Sequence, residues 1–313
     1  MKYREWLNEW LDNYVKITNK RRTLEHYSGL VRLHILPQFG EKEINGISCT
    51  ELQKFVCELL SIGNKSTGKG LSASSVNSII TIIQNSKRTA FVLGLISKNP
   101  AETIRRPKIV EKRIECFSTK EQYYIERAVI SDKRLYLRGV VLCLYTGLRI
   151  GELLALTWND IDFRNKMLVV TKSCYYAKND DGKFSRIVDT PKTNASLRKI
   201  PLSTQMVLLL KEIKMDNLSD FVIAKNNKPI SIRSYQRSFE CLLNAIGIPH
   251  RNFHALRHTF ATRAVECGVD VKTLSEILGH KNATITLNRY THSLLDHKRN
   301  MMNRIGKLSV INT

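Results

Sequence analysis

What this sequence lacks narrows it first. No apolar run approaches the ~18 residues that a membrane-spanning helix needs. The amino terminus, MKYREWLNEWLDNYVK, is amphipathic and mixed in charge, unlike a secretory signal, and no lipidation signal accompanies it. The seven cysteines (Cys49, Cys57, Cys116, Cys143, Cys174, Cys241, Cys267) include no C-x-x-C pair and lie mostly in apolar contexts, which predicts reduced thiols over disulfides or a zinc site. A Gly-rich phosphate loop with its Lys-Ser/Thr, acidic residues spaced for magnesium and an H-E-x-x-H helix are all missing. Metal-dependent nuclease chemistry therefore lacks its ligands, no cofactor is expected, and the expectation is a soluble, cytoplasmic protein.

Acidic residues are also scarce: 28 stand against 50 Lys and Arg, a formal charge of +22. That excess exceeds what solubility requires and is typical of a polyanion binder, with nucleic acid the first candidate and a solvated basic surface or an anionic membrane the lesser ones. It is spread along the chain, with no detachable basic tail. At 313 residues the chain fits two domains better than one.

The first ~110 residues read as helices. Trp6, Leu7, Trp10, Leu11 and Tyr14 recur at three- and four-residue spacing, and a capping box at Ser48 to Glu51 precedes LQKFVCELL. SASSVNSIITIIQNSKRTAFVLGLI reads as a long helix that stops before Asn99-Pro100, because a residue before proline disfavours the helical region. SIGNKSTGKGLS is a loop whose Lys65 and Lys69 suit a phosphate backbone as well as they suit a plain exposed connector. The basic, proline-containing RRPKIVEKRIECF and a second capping box, Ser118 to Glu121, place a linker at 108–117 between a helical domain, 1–107, and a second domain, 118–313. The second domain opens with helices near 119–131 and 136–146. It passes through a small sheet (KMLVVT, a polar stretch at 172–190, SLRKIPL) and returns to helices. The expected fold is mainly α with a small β-sheet.

Read singly, the polar residues of the second domain have ordinary explanations. Arg149, after a turn at Gly147, starts an apolar-faced helix with Glu152 three residues on as a capping or ion-pair partner. His254 and His258 have metal-ligand spacing, but Arg257 beside them opposes a cation. His254 and Arg257, three apart, share a face and suit one phosphate far better. Lys192 reads as a solvated turn lysine, His280 as a histidine at a helix end, and Tyr290 as a half-buried aromatic.

Together these residues make a pattern. Arg149 in TGLRIGELLAL, HALRHTFAT, LGH and Tyr290, spaced His254-x2-Arg257, 22 residues, His280, nine residues, Tyr290, resemble the boxes of the tyrosine recombinase (phage integrase) family. The resemblance spans the whole second domain, and the helical first domain matches the family's core-binding domain in size and position. The long polar insertion before Lys192 looks more like integrases of phages and conjugative transposons than like chromosome-dimer-resolving recombinases.

The resemblance implies a two-domain clamp on double-stranded DNA at attachment or recombination sites. Tyr290 would be the nucleophile, Arg149 and Arg257 the phosphate clamp, Lys192 the general acid and His254 the general base. His280 would hydrogen-bond the phosphate or the tyrosine. It further implies a 3′-phosphotyrosyl intermediate, a tetramer on DNA, an accessory DNA-bending or directionality factor, and a tail after Tyr290, with Leu294, Leu295, Met301, Met302 and Ile305, that docks on a neighbouring subunit or its own. Larger integrases often carry a further amino-terminal domain for accessory arm sites, so whether this is a simpler recombinase or a shortened form stays open. The rivals are a type IB topoisomerase and a non-catalytic repressor using DVKTLSEILGHKNATITLNRY as a helix-turn-helix. The repressor reading leaves Arg149, Lys192 and His254 unexplained.

Overall fold

The structure is a computed structural model that describes residues 1–110, 115–178, 184–189 and 197–280, together with Met302, Asn303 and Gly306. The chain divides into two compact units, Met1–Lys112 and Arg113–Thr313.

The first unit is helical among its described residues. Helix α1 (Tyr3–Trp10) runs through a wider-wound turn, Leu11–Val15, into α2 (Lys16–Thr18), and α3 (Arg21–Leu30) runs likewise through Val31–Ile35 into α4 (Leu36–Phe39). Helices α5 (Cys49–Ile62) and α6 (Ala73–Val92) complete it. The predicted capping box opens α5: Ser48 Oγ accepts from Glu51 N–H, and the Glu51 carboxylate accepts from Ser48 N–H. The face of α1 carrying Trp6, Leu7 and Trp10 is buried, with the Ile79, Ile80 and Ile83 face of α6 in the same core. Polar tips are satisfied there: Trp6 Nε1 donates to Ser86 O (3.1 Å), and Tyr3 Oη pairs with Ser86 Oγ (2.8 Å). Lys87 is fully buried, donates to Ile44 O at 2.6 Å and lies 4.5 Å from the centre of the Tyr3 ring.

The long helix α6 ends earlier than predicted. Gly94 takes a left-handed conformation (φ 74°), its N–H bonds Phe91 O, and Leu95 N–H bonds Ala90 O. A glycine stop of this kind closes the helix several residues before the proline can act. In the loop after α5, Lys65 and Lys69 are exposed, and Asn64 Oδ1 accepts from the N–H groups of Ser66 and Thr67.

The second unit begins with α7 (Thr119–Ser131), capped reciprocally by Ser118 and Glu121, then α8 (Arg138–Thr146) and α9 (Ile150–Ala155). Phe117, the last residue of the expected linker, is buried here, its N–H bonding Thr259 Oγ1 at 2.9 Å and its ring set edge-on to Phe239. Helix α8 is buried nearly all round because Val140, Val141, Leu142, Cys143 and Leu144 leave it no polar face.

Strands β1 (Ile161–Asp162), β2 (Met167–Val170) and β5 (Arg198–Pro201) form an antiparallel sheet in the order β1-β2-β5, with Leu168 opposite Ile200 and Val170 opposite Arg198. Between them β3 (Ser173–Lys178) and β4 (Phe184–Asp189) pair antiparallel, so the polar stretch expected within the small sheet forms a two-stranded sheet of its own. Its buried residues, Cys174 and Ala177, are three apart, and this hides the strand from a period-two reading. Helix α10 (Thr204–Met215), the short pair β6 (Ala224–Lys225) and β7 (Lys228–Pro229), and helices α11 (Ile232–Ala245), α12 (His254–Glu266) and α13 (Val271–Leu278) follow. Helix α12 packs on α8, and α13 packs on α12 and β5.

Candidate active site

Three sequence-distant arginines converge on the carboxyl end of α13. That end is a glycine stop: Gly279 is left-handed (φ 65°), its N–H bonds Glu276 O, and His280 N–H bonds Ser275 O, both at 3.0 Å. The last carbonyls of such a helix lack intrahelical partners and carry the negative end of its dipole. Here each of three successive carbonyls accepts from a different guanidinium. Arg198 Nε donates to Ile277 O (2.6 Å), Arg257 Nη2 to Leu278 O (2.6 Å) and Arg149 Nη2 to Gly279 O (3.2 Å).

Each arginine has a second anchor. Arg257, within α12 and only 2 % exposed, donates Nη1 to Gly147 O at 2.7 Å. Gly147 is itself left-handed (φ 65°), and a Cβ there would stand 2.6 Å from Phe260 Cδ1 and 2.8 Å from Leu278 Cδ2. The turn needs glycine both for its backbone and for the closeness of its neighbours. Arg149 caps the amino end of α9: its N–H bonds Glu152 Oε2 (2.9 Å) and its Nη1 bonds Glu152 Oε1 (2.7 Å), so Glu152 acts as cap and as ion-pair partner together. The Arg149 side chain remains 37 % exposed, whereas that of Glu152 is buried.

Arg198 holds the other side of that carboxylate in a fork, Nη1 to Oε1 at 3.0 Å and Nη2 to Oε2 at 2.8 Å. Burial pushes the Glu152 carboxyl up, but the Arg198 bonds and charge, with the Arg149 charge, outweigh it and hold the group down at about 2. Two cations are therefore fixed on one buried anion, and one of them reaches the surface. Gly151 lets the β3–β4 hairpin approach α9, since a Cβ there would lie 2.6 Å from both Cys174 O and Ser173 Oγ.

Of the sequence-predicted site residues, Arg149, Arg257 and His280 meet at the end of α13. His254 is exposed on the first turn of α12, its ring edge-on to His258 with centres 4.6 Å apart. Lys192 and Tyr290 lie outside the described residues, as do the tail residues Leu294, Leu295, Met301 and Ile305. Lys65 and Lys69 belong to the first unit. Among the described residues no group of three or more His, Cys, Asp or Glu is placed to hold a metal ion. Sequence reasoning missed Arg198. The signal was its phase: in β5, Arg198 and Ile200 are buried while Lys199 and Pro201 are exposed, so an arginine occupies an inward position.

This geometry can be set beside known proteins. Residues 113–297 match the phage integrase family, and residues 2–60 match the phage integrase N-terminal SAM-like domain. The chain is 30% identical over 333 residues to the tyrosine recombinase XerC-like protein of Caldanaerobacter subterraneus subsp. tengcongensis, covering 97% of this chain and 82% of the relative. It is 25% identical to the ICEBs1 integrase of Bacillus subtilis, over 94% of this chain and 80% of that one. Its fold resembles the solved Tn1549 transposon integrase in complex with a circular intermediate DNA, with a TM-score of 0.81 and 23% identity over 97% of this chain and 99% of that one. With family models matching within both units of the chain and the arginines of its second unit gathered at one helix end, the chain belongs to the phage integrase family, the tyrosine-type site-specific DNA recombinases.

Proposed function

We propose that the chain integrates and excises a mobile element, cleaving double-stranded DNA at attachment sites with Tyr290 and rejoining it to a second duplex. In this reading residues 1–107 form a DNA-binding domain, joined through 108–117 to a catalytic domain, 118–313. The observation that carries it is the pair Arg149 and Arg257, held by separate anchors against the end of one helix, with Arg149 reaching the surface. Attack on a phosphodiester builds negative charge on the nonbridging oxygens, and cations already held in position stabilise it without reorganising.

The steps balance without an external energy source. The Tyr290 hydroxyl loses its proton to His254 and its oxygen attacks phosphorus. The bond to the 5′ oxygen breaks, Lys192 protonates that oxygen, and His280 hydrogen-bonds the phosphate or the tyrosine. A 3′-phosphotyrosyl link remains, and a 5′ hydroxyl from another strand attacks it and releases the tyrosine. Two duplexes have four strands to exchange, which favours a tetramer on DNA, and an accessory DNA-bending or directionality factor would set the direction. Lys65 and Lys69 are candidate backbone contacts. The ICEBs1 integrase and the Tn1549 transposon integrase among the similar proteins support the mobile-element reading over chromosome-dimer resolution.

The test is a denaturing gel in EDTA, using labelled DNA spanning the joined ends of the genomic segment that encodes the chain. Wild type is expected to form a protease-sensitive covalent adduct. Tyr290→Phe is expected to bind the same DNA and form none. Binding without an adduct from the wild type would refute the reading in favour of a repressor.

A further inference from the structure

Glu152 is the junction of the site: the Arg149 guanidinium rests on it and so does Arg198, which no strand-cleavage step employs. Arg198 reaches it from β5, an element otherwise occupied with sheet pairing to β2. Its three nitrogens bind two separate parts of the site, Nη1 and Nη2 the carboxylate of α9 and Nε the Ile277 carbonyl at the end of α13. Helix α9 carries Arg149 at its start, and the carbonyl after Ile277 is the one on which Arg257 rests. Arg198 therefore ties together the supports of both arginines proposed to grip the phosphate, across sequence separations of 46 and 79 residues.

We propose that Arg198 is a positioning residue for strand cleavage, fixing the Glu152 carboxylate and the carboxyl end of α13 so that the Arg149 and Arg257 guanidiniums stand at one phosphate. The role rests on the recombinase reading above. It requires a planar guanidinium, because one lysine ammonium cannot span a two-oxygen carboxylate and a carbonyl on another helix with the same fork. Arg198 is buried, so it acts through Arg149 and Arg257 and contributes little to DNA affinity.

The experiment uses full-length protein and the joined-end DNA probe above, at saturating protein and below the melting temperature of every variant. Arg198→Lys is expected to bind the probe within about 3-fold of wild type and to form the Tyr290 adduct on the order of 100-fold more slowly, as displaced catalytic groups do. In an Arg149→Lys background the same substitution should cost far less, since groups acting through one another are not additive. A second protein carrying Glu152→Met with Arg198→Met removes the buried pair as a unit. It keeps a packed interior, should fold and bind, and should cleave as slowly, which covers the case in which Arg198→Lys alone does not fold.

Wild-type adduct rates in either folded variant would overturn the proposal, and so would an equal loss in both Arg149 backgrounds. Loss of DNA binding in step with loss of folded protein would mean a purely structural role and would overturn it too. Absence of an adduct with the wild type is scored separately: it removes the recombinase reading and this inference with it.

Discussion

Replacing Glu152 with glutamine keeps the shape of the side chain and removes its charge, leaving Arg149 and Arg198 to share a neutral partner. Two independent routes give the size of the effect. The fall of the carboxyl from its ordinary value of 4.5 to about 2 corresponds to about 3 kcal/mol of folding stability at neutral pH. Breaking one side of a buried ion pair costs about 3 to 5 kcal/mol. The pH dependence separates this from simple packing loss. A carboxylate depressed in the folded state stabilises fully above its unfolded value and loses that contribution as pH falls from 4.5 toward 2.

Hydrogen exchange of the backbone amides in α8 and α9 follows the second unit by itself, since both helices lie in its core. Wild type should exceed Glu152→Gln by about 3 kcal/mol at pH 7, and the gap should close as the pH falls through that window. A gap below about 1 kcal/mol at pH 7, or one that stays constant as the pH falls, would refute the assignment of Glu152 as the charged centre of the site.

Two glycines differ in a testable way. Gly94→Ala meets no atom within 4 Å, so only its left-handed backbone is penalised, and thermal melting should report about 1 kcal/mol of destabilisation. Gly147→Ala adds the clash with Phe260 and Leu278 to the same strain, and should cost about 2 to 4 kcal/mol while shifting the carbonyl that holds Arg257, so adduct formation should fall as well. In the first unit, burial lowers the Lys87 ammonium from 10.5 to about 8. Between those values the unfolded chain holds a proton that the folded one has released, so stability rises with pH. Urea titrations read by Trp6 and Trp10 fluorescence in a Trp158→Phe background should show that rise, up to about 3 kcal/mol, in wild type and not in Lys87→Met.

What the sequence made readable was short in range. The boxes Ser48 to Glu51 and Ser118 to Glu121, the limits of α7 and the pairing of Arg149 with Glu152 each depend on residues within one or two helical turns. The end of α6 differs from the expectation based on Pro100 because Gly94, closer to the last turn, is the stronger local stop. Arg198 escaped because its partners come from other elements. Its neighbours in sequence describe only a strand, and nothing local distinguishes an inward arginine from an error of phase. The strands β3 and β4 within the expected sheet have no legible limits for a related reason, since β3 packs on α9 and its buried Cys174 and Ala177 break the alternating pattern. Tyr290 and Lys192 drew their roles from resemblance, and each alone has an ordinary explanation.

The arginine contacts at the end of α13 all lie between Gly147 and Gly279, within one folding unit. Chimeras that exchange residues 1–112 for the corresponding part of a relative would leave every one of those bonds intact. The acceptors on α13 are backbone carbonyls, so a graft confined to α13 would keep those bonds as long as its carboxyl end kept its place, whereas a graft of β5 or α12 would remove an arginine side chain. Within such a lineage the first unit places no constraint on these bonds, whereas Arg149 and Glu152 of α9, Arg198 of β5 and Arg257 of α12 must be inherited together.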